Sequence, residues 1–322
     1  AIINGSPDCT VQGKYKQAAV TFEQVLADNR SPRFTFDAQL RLGDSYYYLK
    51  DYPKAAGAYR AAIQSFGSKT GIDYAYYQLA QSDYKSDKLD LGLKDFDNLI
   101  AKYPNSDLAD YAQYGIGWIY FQTKKYEQAV RAFEKAVDRY PNSELLPRAL
   151  YSIGDSYYNL EDYTKAIDAY QKIVTRYPAS SYASDAVNGI QYCYILLDKP
   201  LDALRVIDDY VKKNPAARMA DELFYKKADI YAGQHQYDEA IKVYQEFLQR
   251  FPKSKLMPDA YYWLGKSYGT LNNHQAALEA YEAISTKYPS SKLASAALFE
   301  QGGAYAQQGK PDAALAAFIK IE

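Results

Sequence analysis

Apolar and polar residues follow a helical spacing along most of the chain. In residues 125–140, KYEQAVRAFEKAVDRY, apolar side chains stand three or four positions apart with charged residues between them. Residues at that spacing lie on one face of a helix, so this segment is predicted to be an amphipathic helix. The helix is predicted to end at RYPNS (139–143), because proline lacks a backbone donor and disfavours helix in the residue before it.

The same helix-ending segment recurs at a constant interval. The prolines that stand 37 residues apart are Pro104, Pro141, Pro178, Pro215, Pro252 and Pro289, and Gly67 stands one step before the first of them. A fixed period of roughly 20–50 residues is typical of repeat architectures. Full repeats therefore start at positions 36, 73, 110, 147, 184, 221 and 258, and a truncated repeat occupies residues 295–322.

Two kinds of position recur inside each repeat. Small residues in the first half are Gly43, Ala80, Gly117, Gly154, Ala228, Gly265 and Gly302. Bulky residues sixteen positions after the small position are Tyr59, Phe96, Phe133, Tyr170, Ile207, Tyr244, Tyr281 and Phe318. Polar segments such as LKDYPK (49–54) separate the two halves. Each repeat is thus predicted to be a hairpin of helix A and helix B, in which a small residue lets the helices approach and a large side chain inserts.

Composition and charge exclude several classes of function. The net charge of −1 over 322 residues provides no excess of positive charge that would attract nucleic acid or anionic lipid. No apolar run reaches the roughly 18 residues that a membrane span needs. The two cysteines, Cys9 and Cys193, and the two histidines, His235 and His274, show no metal-ligand or catalytic spacing. We therefore predict that the protein is not an enzyme and uses no metal or cofactor.

The order of Leu-Gly, Tyr, Ala, Phe or Tyr, Ala and Pro in each repeat resembles the tetratricopeptide repeat. The resemblance covers residues 13–322 and implies an all-α fold, a right-handed superhelical α-solenoid that forms a single array with a half repeat at 13–35. Residues 1–12 would then be an irregular N-terminus or a remnant of cloning, and the chain would be part of a longer one, since residue 322 falls inside a helix.

The length of the repeat carries a second, narrower resemblance. The family repeat has about 34 residues, and the 37-residue variant in this chain is similar to that of bacterial envelope proteins. These are the lipoprotein of the outer-membrane β-barrel assembly machine and the periplasmic Tol-Pal coordinator. The similarity implies a periplasmic or outer-membrane-associated location in a bacterium, with the cytoplasm as the alternative.

The resemblance also implies a binding surface. In this family the fifth, ninth and twelfth positions of helix A line a concave groove. In this chain those positions supply the candidate partner-binding residues Tyr47, Tyr77, Tyr84, Tyr114, Trp118, Phe121, Tyr151, Asp155, Tyr158 and Tyr192. Aromatic anchors carry much of the energy at interfaces. We therefore expect a non-catalytic interaction scaffold that binds a protein or peptide segment.

The charge of the predicted groove bears on the kind of segment. The acidic residues of the groove are Asp37, Asp44, Asp155, Asp185 and Asp229. They favour a segment with apolar and basic residues. The chaperone-binding members of the family hold a C-terminal carboxylate with lysine at the fifth position and asparagine at the ninth, and neither occurs there in this chain.

Three alternatives remain open at this point. Some of the groove aromatics could pack between adjacent A helices and bind nothing. Tyrosine and tryptophan also stack on sugars, so an envelope glycan such as peptidoglycan is a second class of ligand. A third interpretation is a purely architectural array within a longer chain.

Two repeats depart from the pattern. Repeat 2 has Asp83 where the other repeats have an aromatic residue in helix A. Repeat 5 has Gln191 at the small position and Pro200 at the start of helix B. A bulky amide at the point of closest approach is predicted to push the hairpin open, so altered packing is expected near residues 184–220.

Overall fold

The computed structural model describes residues 9–28 and 32–321, and the helices in this part of the chain follow one another without a strand. They are α1 (Cys9–Asp28), α2 (Pro32–Tyr48), α3 (Tyr52–Phe66), α4 (Ile72–Lys85), α5 (Leu89–Lys102), α6 (Ala109–Gln122), α7 (Tyr126–Arg139), α8 (Leu146–Asn159), α9 (Tyr163–Arg176), α10 (Tyr182–Leu196), α11 (Pro200–Lys213), α12 (Ala220–Gly233), α13 (Tyr237–Arg250), α14 (Met257–Thr270), α15 (His274–Lys287), α16 (Ala294–Gln307) and α17 (Pro311–Ile319). From α2 onward the even-numbered helices are the predicted A helices and the odd-numbered ones the B helices.

The helices form two compact units, residues 1–169 and 170–322, and α9 spans the division. In the first unit each helix from α1 to α8 packs on its neighbours in sequence, and α10 to α17 do the same in the second unit. Each unit buries its own apolar cluster, around Tyr59, Phe96 and Leu99 in the first and around Ile207, Tyr244 and Phe247 in the second. The architecture is an all-α solenoid, as the sequence predicts.

The predicted close approach of helices A and B is present in the hairpins that contain Gly43, Gly117, Gly265 and Gly302. A Cβ atom placed on Gly117 would stand 2.5 Å from the Phe133 ring, and one on Gly43 would stand 2.5 Å from the Tyr59 ring. Phe133 and Tyr59 are themselves fully buried. Glycine in helix A therefore leaves the space that the aromatic ring of helix B fills, and the helices could not pack this closely around a larger side chain.

The turns between helices A and B share a backbone conformation that the sequence pattern does not reveal. The left-handed residues that recur at these turns are Lys50, Asp87, Lys124, Glu161, Asp198, His235, Asn272 and Gly309. At the first of them, the Lys50 N–H donates to the Tyr47 carbonyl and the Asp51 N–H to the Tyr46 carbonyl, which is the Schellman pattern of a helix C-terminus. The pattern caps the last carbonyls of helix A, although only the last of these turns has the glycine that favours it.

The recurring serine of RYPNS has a role beyond ending helix B. The Ser143 hydroxyl donates to Asp110 in the first turn of α6 and accepts the backbone N–H of Leu145 just before α8. The equivalent Ser254 donates to Asp221 at 2.7 Å. This side chain therefore links the starts of two successive A helices, which explains why the helix-ending segment includes a serine.

The N-terminal segment, Asp83 and Pro200 depart from the repeat pattern, and the structure shows the local environment of each. α1 begins at Cys9, so residues 9–12 are helical where an irregular start is predicted, whereas residues 1–8 lie outside the described residues. Asp83 is fully buried and pairs with Arg60 of the preceding B helix, with 2.7 Å between Nη2 and Oδ2. Pro200 is the first residue of α11, where its missing N–H leaves no helical hydrogen bond unmade.

The hairpin of repeat 5 forms around its irregular residue. Gln191 lies buried in α10, and the register of the repeat places Ile207 on helix B where the other repeats have an aromatic ring. A smaller side chain on helix B thus stands opposite the larger one on helix A. The amide oxygen of Gln191 nevertheless has no hydrogen-bond partner.

We expect Gly117→Leu to lower the free energy of unfolding by about 1–3 kcal/mol, because overpacking a filled site forces the ring and the backbone to move. Urea unfolding followed by circular dichroism at 222 nm measures the change. Gly57→Leu is the control, because nothing stands within 4 Å of a Cβ atom at this exposed helical position. Equal midpoints for the two variants would refute the close approach.

We expect Lys124→Gly to raise the free energy of unfolding by up to about 1 kcal/mol. The left-handed conformation costs a non-glycine residue about 1–2 kcal/mol. Glycine removes this cost, but its greater conformational entropy in the unfolded chain offsets about 0.4–1 kcal/mol of the gain. The control is the adjacent Lys125→Gly, since Lys125 has a φ of −88° and its substitution relieves no strain. A loss of stability in both variants, by the same urea titration, would contradict the strain at Lys124.

Candidate functional site

A concave pocket of about 690 Å³ lies in the first unit, and aromatic side chains form most of its wall. Helices α2, α4, α6 and α8 contribute to it, together with one ring from α5. Its lining residues are Tyr47, Tyr77, Gln78, Gln81, Tyr84, Lys85, Phe96, Tyr111, Tyr114, Gly115, Trp118 and Arg148. We call it the aromatic pocket.

The bottom of the aromatic pocket depends on a second glycine. A Cβ atom on Gly115 would stand 2.8 Å from the Phe96 ring, so only glycine lets that ring lie beneath α6. Beside it, Tyr114 is 7% exposed, and its ring lies 5.1 Å from Phe133 between centroids. The Tyr114 hydroxyl is 3.0 Å from the Ser152 hydroxyl in α8. Tyr114 therefore contributes one face to the pocket and otherwise belongs to the core.

Trp118 forms one side of the pocket and is held in a fixed orientation. Its indole N–H donates to the Tyr84 hydroxyl at 3.1 Å, and its ring stacks on Phe121 with centroids 5.7 Å apart and planes 14° apart. Phe121 in turn meets Tyr126 edge-on at 5.5 Å. The indole is thus oriented from two directions, which limits the conformational freedom that binding would remove.

Hydrogen bonds also orient the tyrosines on the other side of the pocket. The Tyr77 hydroxyl accepts from Gln81 at 2.8 Å, and the Tyr111 hydroxyl donates to Glu144 at 2.6 Å. Burial raises the pKa of Tyr77, and burial together with neighbouring tyrosines raises the pKa of Tyr47 to about 12. These hydroxyls remain protonated at neutral pH and act as hydrogen-bonding groups.

The charge of the aromatic pocket differs from the predicted one. The Arg148 guanidinium lies 4.5 Å above the centroid of the Tyr114 ring, and the Lys85 ammonium lies 5.5 Å from that of Tyr84. Among the described residues, no carboxylate lines the pocket or forms a salt bridge with either cation. This pocket is therefore cationic, and none of the five predicted acidic groove residues lines it.

Asp44, one of the predicted acidic groove residues, is already engaged by neighbouring side chains. Its carboxylate accepts the Tyr59 hydroxyl at 2.8 Å and the Tyr74 hydroxyl at 2.7 Å, and it pairs with Arg41 at 2.9 Å. These three partners belong to the packing of the first repeats. A carboxylate so engaged has little capacity left for a ligand.

Five of the ten candidate residues line the aromatic pocket. The aromatic pocket contains Tyr47, Tyr77, Tyr84, Tyr114 and Trp118. Phe121, Tyr151, Asp155 and Tyr158 belong to the same unit and do not line it, and Tyr192 belongs to the second unit. There the Tyr192 ring lies under the Lys226 ammonium at 4.2 Å.

The twelfth position of helix A has a packing role that the sequence left open. Rings at this position meet the first residue of helix B edge-on, in the pairs Tyr47–Tyr52 at 5.4 Å, Phe121–Tyr126 at 5.5 Å and Tyr158–Tyr163 at 5.7 Å. These contacts support the turn of the hairpin. Packing thus occupies part of the predicted band, and Tyr158 still remains 39% exposed.

Sequence reasoning missed five chemically important members of the pocket: Gln78, Lys85, Phe96, Tyr111 and Arg148. Tyr111 and Arg148 both stand at the second position of their repeats, the column that also holds the predicted Asp37 and Asp185. Extending that column to every repeat would have found the guanidinium.

Within the described part of the chain, no group of three or more His, Cys, Asp and Glu side chains could hold a metal ion. None of the helices described combines the length and apolar character needed to cross a bilayer.

Comparison with known proteins identifies the repeat. Models described as tetratricopeptide repeat match residues 11–69, 77–144, 148–180, 225–292 and 264–321. No curated protein sequence matches the chain.

Solved structures of repeat proteins are similar to this chain. The C-terminal part of a TPR repeat-containing protein from Cytophaga hutchinsonii is 17% identical with a TM-score of 0.58, over 80% of this chain and 99% of that one. A tetratricopeptide repeat protein from Parabacteroides merdae is 15% identical with a TM-score of 0.48, over 78% and 92% of the two chains. MamA from Desulfovibrio magneticus is 17% identical with a TM-score of 0.45, over 57% and 97%. At these identities the likeness is one of fold.

Proposed function

Because the chain belongs to the tetratricopeptide-repeat family, we propose that it is a non-catalytic protein–protein interaction scaffold whose aromatic pocket binds a segment of a partner protein. The observation that carries the proposal is the combination of oriented rings with Arg148 and Lys85, which have no acidic partner among the described residues. Members of this family generally bind proteins or peptides.

The chemistry of the pocket selects the kind of segment. Trp118 and Tyr77 offer apolar faces whose polar ends are already bonded, which suits a large apolar side chain. Among the described residues Arg148 forms no salt bridge, and its guanidinium lies over the Tyr114 ring. A guanidinium in this state binds a carboxylate in a bidentate manner. The preferred segment therefore has a large apolar residue close to an aspartate or glutamate.

The compartment forms a separate part of the proposal. We propose a bacterial envelope location, periplasmic or outer-membrane associated, on the strength of the 37-residue repeat. Fractionation of the native cells followed by immunoblotting tests it, and recovery with the cytoplasmic proteins would contradict it.

We expect a random phage-displayed peptide library, selected on the immobilised protein, to yield peptides with a large apolar residue close to Asp or Glu. Trp118→Ala should weaken the best peptide by at least about tenfold, because a central aromatic anchor typically costs about 2 kcal/mol or more when truncated. Fluorescence anisotropy of the labelled peptide measures the affinity. Trp263→Ala is the matched control, since Trp263 is an exposed tryptophan of the second unit.

A charge variant completes the experiment. Arg148→Gln should weaken the same peptide and spare a version in which its acidic residue is replaced by the amide. Arg131→Gln, at an exposed position of α7, should leave both affinities unchanged. Selected peptides that are basic, or that bind Trp118→Ala as tightly as the parent protein, would refute the assignment. Trp118-dependent binding of muropeptides without peptide binding would favour a glycan ligand instead.

A further inference from the structure

A second pocket, of about 380 Å³, lies in the second unit between α10 and α12. Gln191 and Ile195 of α10 line it on one side, and Lys226, Asp229 and Ile230 of α12 line it on the other. It occupies the repeat that departs most from the pattern of the chain. Nothing in its lining is shared with the aromatic pocket of the first unit.

Gln191 is the unusual residue of this pocket. Every other repeat has glycine or alanine at its position, and Gln191 is 5% exposed with an amide oxygen that makes no hydrogen bond. Burying a polar atom without a partner destabilises a folded protein. Gln113, buried to a similar degree in the first unit, instead donates to the Ala132 carbonyl at 3.0 Å. The chain can therefore satisfy a buried glutamine, whereas Gln191, a residue of the pocket wall, keeps a buried amide oxygen without a hydrogen bond.

The neighbouring repeats show what is missing around Gln191. In repeat 6 the aromatic residue of helix B is Tyr244, and its hydroxyl donates to Asp229 at the ninth position of helix A at 3.2 Å. Repeat 5 has Ile207 and Tyr192 at those two positions, so it lacks both the hydroxyl of helix B and the carboxylate of helix A. No side chain of helix B supplies a hydrogen bond to Gln191.

The remaining walls combine apolar contact with negative charge. Tyr192 is 46% exposed and Ile195 is 39% exposed, so the approach to the pocket is apolar on the α10 side. The carboxylates of Asp198 and Asp229 line it, against one ammonium group. That ammonium, on Lys226, already donates to the Tyr192 hydroxyl at 2.7 Å and lies over its ring. The pocket thus combines two carboxylates with aliphatic walls, and Gln191 in its wall has a buried amide oxygen without a hydrogen bond.

We propose that this pocket binds a basic side chain, lysine or arginine, from a protein segment. The aliphatic stem of such a side chain packs on Ile195 and Ile230, as long charged side chains do on apolar surfaces. Its N–H groups donate to the carboxylates of Asp198 and Asp229 and, once the Gln191 side chain turns toward the pocket, to its amide oxygen. The site lies in the other unit from the aromatic pocket and does not depend on the function proposed for it.

The test uses single-residue probes whose side chains differ in charge. The probes are N-acetyl-arginine amide, N-acetyl-lysine amide, the neutral isostere N-acetyl-citrulline amide, and N-acetyl-glutamate amide. Binding is followed by the NMR shifts of the Gln191 side-chain amide and the Gly233 backbone amide. We expect saturable shifts with arginine or lysine, at least tenfold weaker binding of citrulline, and none of glutamate. Citrulline or glutamate binding as tightly as the basic probes would overturn the proposal.

Variants separate a binding site from a structural defect. Gln191→Ala installs the residue that repeats 2 and 6 have at this position, so it should raise the thermal midpoint while weakening the basic probe at least tenfold. Gln113→Ala should lower the midpoint and leave probe binding unchanged, because it removes a hydrogen bond that is made. Equal probe affinity in Gln191→Ala and the parent protein would also overturn the proposal.

The sign of the charge is tested independently. Asp198→Asn and Asp229→Asn keep the shape of the side chain and should each weaken the basic probe, and asparagine suits the left-handed backbone at position 198. Lys226→Met removes the competing cation and should tighten binding. Weaker binding of the basic probe in Lys226→Met would show that the pocket prefers a different charge.

Discussion

Each hairpin except that of repeat 5 depends on a side chain in helix A that is small enough to admit an aromatic ring from helix B. The distance of 2.5 Å between a Cβ atom on Gly117 and the Phe133 ring leaves no room for a larger residue. The same rings also reach the following repeat, since a Cβ atom on Gly115 would stand 2.8 Å from Phe96 and one on Gly189 would stand 2.7 Å from Tyr170. One ring thus sets both the spacing within a hairpin and the contact with the next, which makes each repeat dependent on its neighbour.

The aromatic pocket follows from this arrangement. Because Phe96 fills the space beneath Gly115, the A helices stack with their fifth and ninth positions on one side, where Tyr77, Tyr114 and Trp118 line the same pocket. Serine bridges such as Ser143 to Asp110 hold the starts of successive A helices together. The aromatic pocket is therefore a product of the same contacts that stabilise the array.

Departures from the repeat introduce chemistry that the regular positions lack. Asp83 replaces an aromatic residue, and its buried carboxylate is stabilised by Arg60 from the preceding B helix. Gln191 replaces a glycine or alanine and receives no such partner. Both residues are polar groups in a buried place, and the difference between them lies in whether a neighbouring helix supplies the matching group. Repeat 5 therefore differs from the others in electrostatics as well as in packing.

The sequence by itself determined the period, the helical hairpins and the pairing of small with aromatic positions. These features depend on spacing along the chain and on the residues that end helices. The sequence did not reveal the left-handed turns. Residues such as Lys124 and Glu161 take that conformation only where the Schellman hydrogen bonds of a packed helix end stabilise it.

Only the tertiary structure decided which side chains meet. Tyr47 and Arg148 belong to repeats 1 and 4, and stacking of the A helices brings both into one pocket. The direction of each ring was equally beyond the sequence, since Phe121 at a groove position turns toward Trp118 and Tyr126. A position in a repeat determines the helical face of a residue, whereas its contacts and the charge around it depend on neighbours that are distant in the chain.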